Sequence, residues 1–232
     1  MEATLIERTV ELEDRHWWFQ ERRAIIAREL RRLDRPGRAL DLGGAGGGNA
    51  RVFVRHGWDP LVVDASETAV QLAKERGLRA IHADACDLPL PDGHFDLALA
   101  FDVLEHIEDD AAAAAELVRV LRPGGRLLLA VPCDMALWSE HDVVSGHFRR
   151  YTRPSLRQVL TGAELVIDRM WSWNVLMKPV VAWRRRRCSG NDVGEVPPLL
   201  NAALRTVIAA ERYLPVSALP GVSIMVRAHR PD

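Results

Sequence analysis

The segment that most constrains this chain is Ala39-Leu40-Asp41-Leu42-Gly43-Gly44-Ala45-Gly46-Gly47-Gly48. An apolar run ends around an acid and meets a dense glycine loop. Glycine has no Cβ, so the backbone there can turn sharply and press against a ligand. Arg38–Leu42 reads as a strand, and Asn49–His56 reads as a helix with Gly57 placed to end it. A strand that passes through such a loop into a helix opens an α/β fold with a parallel sheet.

The same rhythm continues. Pro60–Val63 is a second strand; Ser66 caps a helix over Glu67–Arg76, and Gly77 lies just past its end. Strands follow at Arg79–His82 and Phe95–Phe101. A helix over Ala111–Leu121 comes after the capping candidates Asp109 and Asp110, and Pro123-Gly124-Gly125 turns into a fifth strand, Arg126–Val131. Pro154–Gly162 reads as another helix, Glu164–Trp171 as a sixth strand and Gly221–Ala228 as a seventh. The span between the last two is long for a simple connection. It holds the apolar stretch Trp173–Trp183, Arg184-Arg185-Arg186-Arg187, the polar turn Ser189-Gly190-Asn191-Asp192 and a helix over Pro198–Tyr213. The 232 residues, 48% of them hydrophobic, suit one domain with a real core. Its expected parts are an N-terminal helical lid over 1–35, a ligand-binding core over 38–131 and a helical insertion over 173–221.

Three classes of ligand use such loops. A dinucleotide favours Gly-x-Gly-x-x-Gly, and no register supplies it: the third glycine falls on Asn49 or Arg51, or the second on Ala45. A triphosphate loop needs Gly-Lys followed by Ser or Thr, which is absent. Asp41 at the strand end suits a cationic ligand better than a pyrophosphate, and S-adenosylmethionine carries an ammonium and a sulfonium. Asp64 closes Leu61-Val62-Val63-Asp64, where a carboxylate can accept both hydrogen bonds of a ribose diol. Asp84 follows the third strand, where it can accept from an adenine amine. Each acid alone reads equally well as a turn or capping residue; together they mark the carboxyl edge of a parallel sheet, where such folds bind ligands.

These residues resemble the class I S-adenosylmethionine-dependent methyltransferases. Asp41–Gly47 is similar to the family's first motif, with Ala45 where the middle glycine usually stands. The resemblance implies cofactor contacts at Asp41, Gly43, Ala45, Gly47, Asp64, Ala65, Asp84, Ala85 and Asp102. Phe95–His106 resembles the fourth strand and its sequel, and Leu121–Leu127 the turn into the fifth. It also implies a Rossmann-like sheet of seven strands, mostly parallel, with the last antiparallel. Glu13–Phe19 and Ser139–Tyr151 resemble segments of a bacterial group of these enzymes.

Methyl transfer is an in-line displacement on an activated donor, so the protein mainly aligns the acceptor and excludes water. After the fifth strand, Glu140, His141, Asp142 and His147 are crowded together, and His141 or His147 is the candidate base. The alternative is a loop histidine bonded to a neighbour. His-x5-His matches no standard metal site, so none is expected. Arg149 and Arg150, followed by Tyr151, can orient an acceptor by forked hydrogen bonds or form structural ion pairs. His106, after the fourth strand, is a further acceptor-side candidate. Trp17 and Trp18, ahead of Arg22 and Arg23, form either a lid over the cofactor or a packed helix face.

The expected function is transfer of a methyl group to O or N of a small-molecule or lipid-linked acceptor. The alternatives are a cofactor-binding enzyme of rearrangement or cyclisation, and an RNA or protein methyltransferase. The net charge of −1 argues against general nucleic-acid coating. Trp173–Arg187 reads as a packed helix with a basic end, or as a peripheral contact with an anionic membrane. The beginning of the chain lacks a basic segment followed by an apolar core. No window holds about 18 uninterrupted apolar residues. Cys86, Cys133 and Cys188 suggest neither a disulfide framework nor a zinc site, so a cytoplasmic setting is expected. Oligomeric state is not legible.

Overall fold

The structure, a computed structural model, describes residues 3–187 and 194–232. Cys188 and the Ser189–Asp192 turn lie outside the described residues. The strands are β1 (Arg38–Leu42), β2 (Asp59–Asp64), β3 (Arg79–His82), β4 (Phe95–Phe101), β5 (Leu121–Pro132), β6 (Val166–Trp173) and β7 (Ser223–His229). They form one sheet in the order β3-β2-β1-β4-β5-β7-β6. The first five are parallel, and β7 runs antiparallel to both β5 and β6. The seven strands and the antiparallel last one are as the sequence implies. The seventh lies between the fifth and sixth, so β6 is the edge.

Helices cover both faces. They are α1 (Ala3–Leu12), α2 (Trp17–Leu30), α3 (Ala50–Arg55), α4 (Glu67–Glu75), α5 (Asp110–Val120), α6 (Glu140–Ser145), α7 (Arg153–Gly162), α8 (Lys178–Arg187) and α9 (Pro198–Glu211). Alternation along β4 and β5 divides the core. Ala98, Ala100, Leu127 and Leu129 face Leu117 of α5 and Leu156 and Leu160 of α7. Leu97, Leu99, Leu128 and Ala130 face Ile25 and Ile26 of α2, Phe53 of α3 and Ile208 of α9. Each of these fully buried large side chains contributes about 1.5–3 kcal/mol, so the central strands are anchored on both sides.

Two local outcomes differ from expectation. The N-terminal region is two helices rather than one, broken at Glu13–His16. The His16 side chain accepts from the Trp18 N–H and starts α2. The segment after β5 contains α6. Ser139 and Asp142 form its capping box, and Gly146 (φ 74°) ends it.

Candidate functional site

The topology reverses between β1 and β4, and the carboxyl ends of β3, β2, β1 and β4 meet at that crevice. Gly43 (φ 63°) turns the chain off β1, and its N–H donates to the Val63 carbonyl at 2.7 Å. A Cβ at Gly43 would meet Val103 Cγ2 at 2.5 Å, so only glycine permits this approach between the β1 and β4 ends. Ala45 also takes a left-handed conformation (φ 46°), and its N–H donates to Asp64 Oδ2 at 3.0 Å. Asp64 Oδ1 accepts the Ser66 N–H at 2.9 Å. Asp64 therefore locks the loop to the end of β2 while its carboxylate stays half-buried. Ala65 and Asp84 are exposed beside it, with Ala85 half-buried. Asp84 Oδ1 accepts the Cys86 N–H at 2.9 Å.

Asp41 departs from the expectation that it faces the ligand. It is 1% exposed and lies beneath the loop, where a Cβ on Gly44 would come within 2.8 Å of its Oδ2. That oxygen has no hydrogen-bond partner. Burial pushes the Asp41 carboxyl up to about 8, against the Ala50 backbone hydrogen bond and with help from the nearby Glu13 and Asp64 charges. Gly47 (φ 77°) is likewise buried and supports the loop from behind: a Cβ there would strike Leu78.

Helix α1 covers the loop. A Cβ on Gly46 would meet Val10 Cγ2 at 2.6 Å, and one on Gly48 would run into the Glu13 carboxylate. Arg76 pairs with Glu13 and donates to the Gly46 carbonyl at 2.9 Å and the Val10 carbonyl at 3.1 Å. Burial raises the Glu13 carboxyl despite the Arg76 guanidinium beside it. The two tryptophans separate in role. Trp17 is buried among the α2 core residues, and its main-chain N–H donates to the Asn201 side chain at 2.8 Å. Trp18 packs edge-on against Trp173, with ring centroids 4.5 Å apart. Arg22, missed as a site residue in its own right, lies over the Trp18, Phe101 and Trp173 rings. Its Nη1 stands 2.5 Å from Asp102 Oδ2 as an ion pair, without hydrogen-bond alignment. Asp102 directly follows β4 with φ 56°.

The acceptor-side candidates converge next to β4. The His106 and His147 rings stand 4.6 Å apart, and the His141 ring lies 6.0 Å from His147. His147 Nδ1 bonds Asp142 Oδ1 at 2.8 Å, which orients the ring. Burial drives His106 down to about 4, and the adjacent His147 adds to the shift. Asp142 is fully buried. Burial pushes its carboxyl up, but the His147 and Ser139 hydrogen bonds and the Arg185 charge outweigh that and hold it below its ordinary value.

Three residues expected at the acceptor make contacts within the fold. Arg150 is buried and grips Asp142 with two arms at 2.8 and 3.1 Å, while a third N–H donates to the Cys133 carbonyl at 3.1 Å. Arg149 donates to the Glu108 carbonyl at 2.6 Å and pairs with Asp110 at 2.9 Å. The Tyr151 ring is in the core, and its hydroxyl donates to Asp110 Oδ2 at 2.6 Å. Glu105, not singled out from sequence, is fully buried beside these groups, and burial raises its carboxyl well above the ordinary value. Within the basic run, Arg185 turns inward to the Leu137 carbonyl at 3.0 Å, while Arg184 and Arg186 stay exposed.

Residues 40–129 match the family model described as a methyltransferase domain. A probable S-adenosylmethionine-dependent methyltransferase of Mycolicibacterium smegmatis is 32% identical over 168 residues, covering 70% of this chain and 65% of that protein. The chain spans about half the length of the first curated relatives it matches. Among solved structures, a putative methyltransferase from Haloferax volcanii, in complex with the Trm112 methyltransferase activator, aligns with TM-score 0.68 and 20% identity. That alignment covers 97% of this chain and 95% of that one. A Haemonchus contortus phosphoethanolamine N-methyltransferase 2, solved with S-adenosyl-L-methionine, aligns with TM-score 0.64 and 18% identity over 91% of this chain and 53% of that one.

Proposed function

We propose, from the premise that this chain belongs to the class I S-adenosylmethionine-dependent methyltransferases, that it transfers the methyl group to O or N of a small-molecule or lipid-linked acceptor. The observation that carries the reading is Asp64, tied to the glycine loop at Ala45 and flanked by exposed Ala65 and Asp84. The donors and acceptors fit this cofactor: Asp64 retains lone pairs for a ribose diol, Asp84 for an adenine amine, and the Gly43 turn leaves backbone open to the methionine end. Arg22 is placed to meet a carboxylate, since its Nη2 has no hydrogen-bond partner. The cofactor supplies an electrophilic methyl carbon on a sulfonium.

The chain's own residues align the acceptor and manage its proton. His106, His141 and His147 gather at the β4 end, with Asp142 behind His147. Arg150 acts through Asp142 as a positioning residue. Val180 and Trp183 of α8, the helix that carries Arg184 and Arg186, and Leu199 and Leu200 of α9 are exposed apolar groups in the insertion. This order supports a lipid-linked acceptor met at a membrane surface. No described helix is long and apolar enough to cross a membrane.

Calorimetry with S-adenosylmethionine, S-adenosylhomocysteine and NAD tests the cofactor half. Asp64→Ala should weaken cofactor binding by roughly 1–3 kcal/mol, the scale of hydrogen bonds to charged groups. NAD binding without S-adenosylmethionine binding would refute the reading. On the acceptor side, His147→Ala should lower turnover about 10²–10⁴-fold while leaving cofactor affinity intact.

A further inference from the structure

The neighbours Glu105 and His106 are joined by His147, which comes from about forty residues further along the chain. Each offers one ligand-type atom, and the three atoms lie within 4.8 Å of one another. Glu105 is fully buried, and neither of its oxygens has a hydrogen-bond partner among the described residues. The neighbouring carboxylates are matched: Asp102 pairs with Arg22, and Asp142 is held by Arg150, His147 and Arg185. A buried carboxylate with no such partner is costly, so the group either keeps a proton or is completed by a cation or donor.

One of the two imidazoles is already oriented from behind. His147 Nδ1 is bonded to Asp142, which leaves its Nε2 for a ligand, and the His106 ring packs edge-on against the His147 ring. A ligating histidine is held in this way, by a carboxylate or main-chain group on its other nitrogen. We propose that Glu105, His106 and His147 bind a divalent first-row transition-metal cation, and that its open position takes an oxygen of the methyl acceptor.

Two imidazole nitrogens and one carboxylate suit zinc, iron(II), cobalt(II) or manganese(II), whereas magnesium and calcium prefer all-oxygen sets. Metal–ligand distances of about 2.0–2.2 Å place donor atoms roughly 3–3.5 Å apart, so rotation of the three side chains by about an ångström closes the site. Three protein ligands leave room for an outside oxygen. The site is one residue beyond Val103–Leu104, and Val103 is the residue against which the Gly43 turn packs. An acceptor hydroxyl bound there loses its proton to solvent more readily, and His106 and His147 then serve as ligands in place of the proton-handling role given above. The acceptor oxygen then forms a bond to the methyl carbon as the carbon–sulfur bond breaks and S-adenosylhomocysteine leaves. This last role rests on the methyl-transfer reading; the metal site itself does not.

The test uses the full chain stripped with a chelator and titrated with Co²⁺, whose d–d absorption reports nitrogen and oxygen ligation, with bound metal measured by mass spectrometry. Wild-type protein should take one equivalent. Glu105→Gln and His147→Gln should each weaken binding at least about 10-fold, the lower end of the loss seen when even a supporting residue is removed. Excess Mg²⁺ should leave the Co²⁺ band in place. S-adenosylhomocysteine calorimetry on the same samples reports whether the variants are folded. The proposal is overturned if the wild-type protein binds no stoichiometric metal, if folded variants bind it as tightly, or if Mg²⁺ displaces it. Metal binding with no S-adenosylhomocysteine binding would uphold the site and sink the methyl-transfer reading instead.

Discussion

Asp41 offers a direct test of how the glycine loop is supported. Its carboxyl is 1% exposed beneath Gly44, and burial raises it from 3.8 to about 8. Between those values the folded protein keeps a proton that the unfolded chain has released. The contribution of this group to stability is therefore fully present below pH 3.8 and is lost as pH rises toward about 8. The slope is at most about 1.4 kcal/mol per pH unit. Asp41→Asn keeps the shape and removes the titration. The variant should gain on the wild type as pH rises, by up to ~2.7 kcal/mol between pH 5 and pH 7. Urea unfolding of both proteins at pH 5, 6 and 7 measures that difference directly. A difference that does not change with pH would mean Asp41 is ionised in the fold, and the burial argument would fail.

Other expectations follow from single contacts. Ala45 holds φ 46°, so Ala45→Gly should stabilise the protein by up to about 1 kcal/mol in urea unfolding, the left-handed penalty less the added chain entropy. Asp142→Ala strands the buried Arg150 guanidinium and should cost roughly 3–5 kcal/mol in the same assay. Hydrogen exchange across Val10–Glu13 should slow when S-adenosylhomocysteine binds, because α1 lies on the glycine loop; equal protection with and without ligand would make α1 a fixed strut. Binding to anionic vesicles should fall on replacing Arg184 and Arg186 with Glu, and sedimentation that ignores lipid charge would count against a membrane role.

The sheet was legible because its strands are short apolar runs closed by acids or turns, a pattern that needs no knowledge of neighbours. Asp64 and Asp84 sit at strand ends as that pattern requires. Asp41 has the same local signature, yet packing of Gly44 over it puts it under the loop; no local pattern distinguishes an acid above a turn from one beneath it. Helix α6 did have a signal, the Ser139–Asp142 capping box with Gly146 beyond, but it is short enough to be masked by its polar composition. Arg150 and Tyr151 resemble surface recognition residues until their partners, Asp142 and Asp110, are brought in from elsewhere in the chain. Glu105 gave no cue, because its isolation is created by the pairing of every acid around it.

The pairing of β6 with β7 has a consequence for how such a protein can change. The Trp173 carbonyl accepts the Val222 N–H at 3.0 Å, so the chain leaves the sheet and returns to it at one hydrogen-bonded point. Residues 174–221 thus form a cassette with a common doorway, and closure entropy grows only slowly with the length of what passes through it. Its connecting segments can change in length with little disturbance to the crevice beside β1 and β4, provided Ile208 still fills the core and Arg185 still meets Asp142. The cassette is tied to the rest of the fold by Lys178 to Asp134 at 2.6 Å, by Arg185 to the Leu137 carbonyl at 3.0 Å, and by Asn201, which accepts from the Trp17 N–H and donates to the Arg15 carbonyl at the corner between α1 and α2. A replacement that keeps these ties would carry new acceptor preferences on an unchanged donor site; one that loses the Asn201 clasp would free the corner between α1 and α2.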